Sequence, residues 1–318
     1  INPIYLKTNF MKRRHFLKTA VTLPFLSLSV IGCATTKPAL SVTYKTNTLL
    51  QNLLSDLLPS WENKLNAKIG MAVITASNNE LASYRGNDFF PFNSTIKAFI
   101  GAYILHLVDK GQLDLAQTLQ IKATDLLEYA PQSKKFFEAN QPISIAELSE
   151  AMITVSDNTA SNLLLDTTGG LKPFNDFLHQ IGNSEVILVH NEPLLNRSHY
   201  GDKIDTAKPI AYTQALKNIL MGDILSEQSK KLLLTWLIND KVGDSLLRKH
   251  LPKDWQIGDK TGAGDESRNI VAIVWNSQKE AYFVSLFITQ PYDGKSHDFN
   301  NQKSVAIAEI GQAIYSIL

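Results

Sequence analysis

Between residues 47 and 64, leucines fall at 49, 50, 53, 54, 57 and 58, and Trp61 completes the stripe. Steps of three and four predict an amphipathic helix. Two short apolar runs follow, residues 69–76 and 81–85, on either side of Ser-Asn-Asn-Glu, and predict a β-hairpin. From Ala98 to Val108 nearly every position is apolar, and Gly111 follows. A helix apolar all round belongs inside a protein. Ser94 opens this helix, and Lys97 is carried into it on the same face, less than one turn on. Residues 113–139 mix short helices and loops. Ser144-Ile145-Ala146-Glu147 is a capping box that starts a helix running to about residue 156. A further helix is expected over 159–166, closed by Gly169-Gly170, and then an amphipathic one over 172–181 with Phe174, Phe177, Leu178 and Ile181 on one stripe. Residues 183–206 break all periodicity, and a loop this long in a compact domain is usually functional. Helices are expected over 206–221 and 226–238, strands over 255–263, 269–276 and 281–289, and a last helix over 302–318.

Strands near both chain ends with helices between them predict an α+β fold. An antiparallel sheet drawn from both ends (residues 45–93 and 223–318) is flanked by helices. An all-helical part (residues 94–222) sits beside it, with the active site between the two. The sequence shows no internal repeat and no low-complexity segment.

Charge changes the picture at the N-terminus. The 318 residues carry a net charge of +1, but residues 1–32 hold five basic residues (Lys7, Lys12, Arg13, Arg14, Lys18) and no acid. Met11 is followed by Lys-Arg-Arg-His-Phe-Leu-Lys and then by an apolar run to Gly32, too short for a bilayer span of about 20 residues. This reads as an export signal, with Met11 the start and residues 1–10 upstream sequence. Its Arg-Arg-x-Phe-Leu-Lys string resembles a twin-arginine signal. Cys33, the only cysteine, excludes an intramolecular disulfide. It ends Val30-Ile31-Gly32-Cys33, which resembles the lipobox of bacterial lipoproteins. Residues 33–44 would then be a tether on a lipidated cysteine, and the protein is expected to be exported, periplasmic and membrane-anchored. The remaining chain is mildly acidic and offers no basic patch for nucleic acid.

The candidate chemistry lies in four strings. Ser94-Thr95-Ile96-Lys97 puts a hydroxyl at a helix N-terminus, where free N–H groups favour developing negative charge, beside a lysine whose pKa burial would lower. Ser156-Asp157-Asn158 follows a helix, Lys260-Thr261-Gly262 lies on an expected strand, and Glu192-Pro193-Leu194-Leu195-Asn196 lies in the long loop. Each alone is ordinary: a cap with a surface lysine, a polar helix end, an edge-strand lysine, a solvated glutamate. Ser-x-x-Lys, Ser-Asp-Asn and Lys-Thr-Gly in this order are the set found in class A β-lactamases and penicillin-binding proteins. From about residue 47 onward the chain resembles a class A serine β-lactamase. Ser161-Asn162-Leu163 after Ser-Asp-Asn, and Gly258-Asp259 before Lys260, agree.

The resemblance implies that Ser94 is the nucleophile and that the N–H groups of Ser94 and Ala263 form the oxyanion hole. Lys97 would activate Ser94 or relay its proton, and Ser156 would protonate the leaving nitrogen. Glu192 would be the deacylating base, acting through a water held with Asn196. Asn158 would bind the substrate's side-chain amide. Lys260, Thr261 and Arg268 would bind its carboxylate, with Tyr129 walling the entrance. Asn162 and Asp205 would support the loop. No cofactor and no metal is implied: His179, His190, His199 and His250 lack ligand spacing. The partners implied are β-lactam substrates and a lipid anchor, for a monomer.

Departures from the family pattern carry their own expectations. His190 stands where many relatives have an arginine paired to the loop aspartate, so loop order or deacylation is expected to depend on His190 protonation. Ile187 and Val189 make the loop more apolar. Asn93 and Gly264 replace the disulfide of carbapenem-hydrolysing relatives, so strong carbapenemase activity is not expected. A penicillin-binding protein or D-Ala-D-Ala peptidase shares the first three strings but generally lacks Glu192 and Asn196. A non-hydrolytic, lipid-anchored β-lactam sensor would need a signalling segment, which the sequence does not show.

Overall fold

The computed structural model describes residues 43–183, 185–290 and 298–318. The export signal, Cys33 and the tether as far as residue 42 lie outside the described residues. The elements in chain order are β1 (Lys45–Thr46), α1 (Thr48–Leu65), β2 (Lys68–Thr75), β3 (Glu80–Tyr84), β4 (Phe90–Pro91), α2 (Lys97–Asp109), β5 (Thr118–Leu119), α3 (Ser133–Glu138), β6 (Ile143–Ser144) and α4 (Ile145–Thr154). They continue with α5 (Asn158–Thr167), α6 (Leu171–Gln180), β7 (Thr206–Ala207), α7 (Pro209–Met221), α8 (Glu227–Ile238), β8 (Gln256–Ala263), β9 (Ser267–Trp275), β10 (Ala281–Thr289) and α9 (Asp298–Tyr315).

One sheet has the order β1-β3-β2-β10-β9-β8, antiparallel throughout except that β1 runs parallel to β3. It is the α+β architecture expected. The central strands are buried on both faces, and alternation sorts their side chains. Ala281, Phe283 and Phe287 of β10 join a core with α2, α4, α5, α6, α7 and α8. Tyr282, Val284, Leu286 and Ile288 join a second core with α1 and α9, built on Leu50, Leu54, Leu58, Ile307, Ile310 and Ile314. The C-terminal strands therefore pair with an N-terminal one: β10 lies against β2 from Tyr282↔Thr75 to Thr289↔Lys68.

Local signals act as their chemistry requires. Asn47 caps α1 by accepting from the Leu50 N–H at 3.1 Å. Ser144 and Glu147 exchange both bonds of the capping box. The stretch around Ser94 differs from expectation. Ser94 lies in a 3-10 turn, Asn93–Ile96, and the α-helix begins only at Lys97. The Thr95 N–H and hydroxyl both donate to the Phe92 carbonyl, which tightens the chain to a three-residue repeat before α2 starts. Lys97 is nonetheless fully buried, as the apolar context required. The long loop is compact. Its C-terminal end is held where β7 pairs with β4, Thr206↔Pro91 and Ala207↔Phe90, and a 3-10 turn, Leu194–Arg197, lies within it.

Candidate active site

Three elements converge on Ser94. The turn before α2 carries Ser94 and the first residue of α2 is Lys97, the loop brings Glu192, and the bend after α4 brings Ser156 and, as the first residue of α5, Asn158. Ser94 Oγ donates to Glu192 Oε1 at 3.0 Å. Lys97 Nζ lies 2.9 Å from the same oxygen. The ammonium also donates to Asn158 Oδ1 at 2.6 Å and the Ser156 carbonyl at 2.9 Å, with Ser156 Oγ at 3.4 Å. An ammonium has three donors, and these three close contacts use all of them. Ser94 is therefore linked to Lys97 through Glu192. Asn196 Nδ2 donates to the other carboxylate oxygen, Glu192 Oε2, at 2.6 Å.

Burial works to push the Glu192 carboxyl up, but the Lys97 charge and the bonds from Lys97, Ser94 and Asn196 outweigh it and hold Glu192 below the usual range. Burial pulls the Lys97 ammonium down, and Glu192 and Asp157 restore only part of the shift. The resting site is thus an ion pair with an ionised glutamate touching the serine hydroxyl.

The supports are specific. Asn162 Nδ2 donates to the Glu192 carbonyl at 2.9 Å and its Oδ1 accepts the Glu192 N–H at 3.0 Å, so one amide fixes the loop backbone where the carboxylate leaves it. The Glu192–Pro193 peptide is cis. Asp205 is fully buried and accepts from the Val189 N–H at 2.7 Å, the His190 N–H at 3.3 Å and His190 Nδ1 at 2.6 Å. His190 does face Asp205, with its side chain 42 % exposed. Val186 and Leu188 point into the core while Ile187 and Val189 are exposed.

Ser94, Tyr129, Ser156, Asn158, Asn196, Thr261, Ala263 and Arg268 line one cleft of about 330 Å³. Arg268 reaches it because β9 pairs it with Ala263, and its NH1 donates to the Gly262 carbonyl at 3.2 Å. Tyr129 stands half exposed at the rim. Lys260 is buried behind the cleft and donates to the Thr261 carbonyl at 2.9 Å. Burial pulls it down to about 8, against the attraction of Asp240.

Some contributors were not singled out from sequence. Val242 also lines the cleft. Asp157, the middle of Ser-Asp-Asn, accepts from the Gln132, Ser133 and Ala160 N–H groups and from Ser133 Oγ, and so locks the bend that aims Ser156 and Asn158. Its position in the string was the available signal. Asp240 gave none. It lies close enough to Asp259 for the two carboxyls to act on each other, and Asp259 Oδ1 accepts from Arg248 Nε. Two buried carboxyls in contact cannot both ionise. Burial, then the Asp240 charge, pushes Asp259 up to about 8.

A serine just ahead of a helix, with a glutamate and a buried lysine beside it and a cationic strand facing both, has the arrangement of a serine acyl-transfer site. Residues 49–318 match the pattern of the β-lactamase enzyme family, and the chain belongs to that family. It is 58% identical over 316 residues to the β-lactamase BRO-1 of Moraxella catarrhalis, covering 97% of this chain and 100% of that one. It is 39% identical to the β-lactamase AER-1 of Aeromonas hydrophila, covering 81% and 83%. Among solved structures it is similar to an ancestral (GNCA) class A β-lactamase, with a TM-score of 0.78, 36% identity, and 83% of this chain and 100% of that chain covered. Within the family it is a class A serine β-lactamase, a hydrolase of the β-lactam ring.

Proposed function

We propose that this enzyme opens penicillins and cephalosporins by acylating Ser94 and frees itself through Glu192, so conferring resistance. The observation that carries the reading is Glu192 Oε1, which accepts from Ser94 Oγ and Lys97 Nζ together. The Ser94 oxygen attacks the lactam carbonyl carbon while its proton passes to Glu192. Oxyanion charge collects between the N–H groups of Ser94 and Ala263. The carbon–nitrogen bond then breaks, and Ser156 Oγ protonates the nitrogen, drawing on Lys97 at 3.4 Å. Lys260, Thr261 and Arg268 hold the carboxylate, Asn158 holds the side-chain amide, and Tyr129 walls the mouth. Glu192 passes the proton it took from Ser94 to Lys97, 2.9 Å away, which has just given one up through Ser156, and is ionised again. In the second half, a water held by Glu192 and Asn196 gives a proton to Glu192 as it attacks the ester carbonyl carbon; the bond from that carbon to Ser94 Oγ breaks, and the oxygen takes the proton back from Glu192, which restores both residues. All three donors of Lys97 are engaged, which favours Glu192 as the base of the first step as well.

A peptidase or sensor would acylate once and stop. A chromogenic cephalosporin distinguishes these outcomes: continuous turnover supports hydrolysis, and a single stoichiometric burst would overturn it. We propose further that the protein is exported to the periplasm as a monomer by the twin-arginine-type signal and is anchored through lipidated Cys33. Cys33→Ser should then move β-lactamase activity from the detergent phase to the aqueous phase on partition. Wild-type activity already in the aqueous phase would refute the anchor.

A further inference from the structure

The turn that carries the nucleophile is tied to the sheet by a side chain that the proposed reaction does not use. Asn93 precedes Ser94, is fully buried, and has φ of 48°, a left-handed conformation that asparagine tolerates better than most residues. Its Oδ1 accepts from Ser267 Oγ at 2.7 Å and from Asn269 Nδ2. The same Asn269 amide donates to the Pro91 carbonyl at 2.7 Å. Ser267 and Asn269 are alternate residues of β9 and share a face. Across from them stand two glycines at the end of β8: Gly262, in the strand, pairs with Asn269, and the N–H of Gly264, just past it, donates to the Ser267 carbonyl at 2.9 Å.

Those glycines flank Ala263. A Cβ on Gly262 would meet the Phe92 carbonyl oxygen at 2.9 Å and Asn93 Cβ at 3.1 Å. A Cβ on Gly264 would meet Asn93 Nδ2 at 2.5 Å and the Asn196 carbonyl oxygen at 2.8 Å. Strand β8 therefore comes against the nucleophile turn with no side chain between them on either side of Ala263. The Asn93 carboxamide fills the gap and bonds to the neighbouring strand. Its Nδ2 is buried without an acceptor among the described residues, so the Oδ1 bonds are what it contributes.

We infer that Asn93 is a positioning residue that fixes the spacing between the Ser94 and Ala263 N–H groups, and so sets transition-state stabilisation rather than substrate affinity. The inference rests on the acylation reading above. Oxyanion donors work only within a few tenths of an ångström of their proper distance, and a misplacement of about 1 Å can cost about 100-fold in rate.

The test is Asn93→Gly, which keeps the left-handed backbone free of strain and removes only the clamp. Acylation by a chromogenic cephalosporin should slow by roughly 10- to 100-fold. The inhibition constant of phenylboronic acid, whose adduct with Ser94 places a tetrahedral oxygen between the two N–H groups, should rise by a similar factor. In a Ser94→Ala background, penicillin affinity measured by calorimetry should change less than about threefold on adding Asn93→Gly. Unchanged acylation and boronate inhibition would overturn the inference. So would penicillin affinity falling as far as boronate affinity. If Asn93→Gly does not fold, Ser267→Ala tests the same bond from the strand side, and the same split is required of it. Ser94→Ala alone must be inactive; turnover by it would sink the acylation reading itself, an outcome separate from failure of the clamp.

Discussion

The buried carboxyl pair behind Lys260 makes a quantitative prediction about stability. Asp259 Oδ1 accepts from Arg248 Nε and Asp240 Oδ1 from the Val242 N–H, which leaves Oδ2 of each buried and without another partner among the described residues. One proton between the two carboxyls satisfies both. The pair titrates as a unit, with Asp259 raised from 3.8 to about 8. The folded protein thus keeps a proton that the unfolded chain releases near pH 4. Where the folded state binds more protons, unfolding free energy falls as pH rises. The loss runs from about pH 4 to about pH 8, at about 1.4 kcal/mol per pH unit, and ends above that. Between pH 5 and pH 7.5 it amounts to roughly 3 kcal/mol. Asp259→Asn removes the titration, because its amide donates to Asp240 without ionising and its carbonyl still accepts from Arg248. Urea unfolding of both proteins at half-unit steps across this range should show the variant gaining on wild type by roughly 3 kcal/mol as pH rises. Turnover near neutrality should change only a few-fold, since the pair carries a single negative charge in either protein. A stability difference independent of pH would refute the shared proton.

Other predictions follow from the same contacts. Glu192→Gln should leave a trapped acyl-enzyme visible by mass spectrometry and lower turnover by at least about 1,000-fold, as loss of a general base requires; free turnover would remove Glu192 from the role. Asn162→Ala deletes both bonds to the Glu192 backbone, so deacylation should slow at least tenfold and stability fall by about 2–3 kcal/mol, checked by single-turnover kinetics and urea unfolding. His190→Ala removes one of the three bonds to Asp205 and leaves the two backbone ones. Deacylation should therefore slow only a few-fold in single-turnover kinetics, and an unchanged rate would show that the side-chain bond to Asp205 does not order the loop. Leu286→Ala, in the core under α1 and α9, should cost about 2–5 kcal/mol with kinetics unchanged in the folded fraction.

The chemistry of this enzyme was legible because acyl transfer constrains short strings: a serine three residues before a lysine, a Ser-Asp-Asn bend, a Lys-Thr-Gly strand, and a glutamate four residues before an asparagine. Most elements were legible too, because their apolar residues follow helical or strand spacing. The extent of β10, residues 281–289, emerged as read. Less legible was whatever depends on residues distant in sequence. The 3-10 turn at Ser94 arises from bonds to Phe92 and from packing on Gly262, which no periodicity carries. Arg268 could be aligned only loosely along the chain, and the β8–β9 register decided its place opposite Ala263.

The sequence by itself determined which groups are present and that Lys97 must be buried, since an apolar helix has nowhere else to go. Only the tertiary structure decided that Ser94 bonds to Glu192 and that Lys97 shares its three donors among Glu192, Asn158 and the Ser156 carbonyl. It alone joined Asp240 to Asp259, and Asn93 to the hairpin that bears Ala263. The physical reason is common to these contacts. Hydrogen bonds are short-ranged and directional, so their partners are chosen by how strands and loops far apart in the chain pack together.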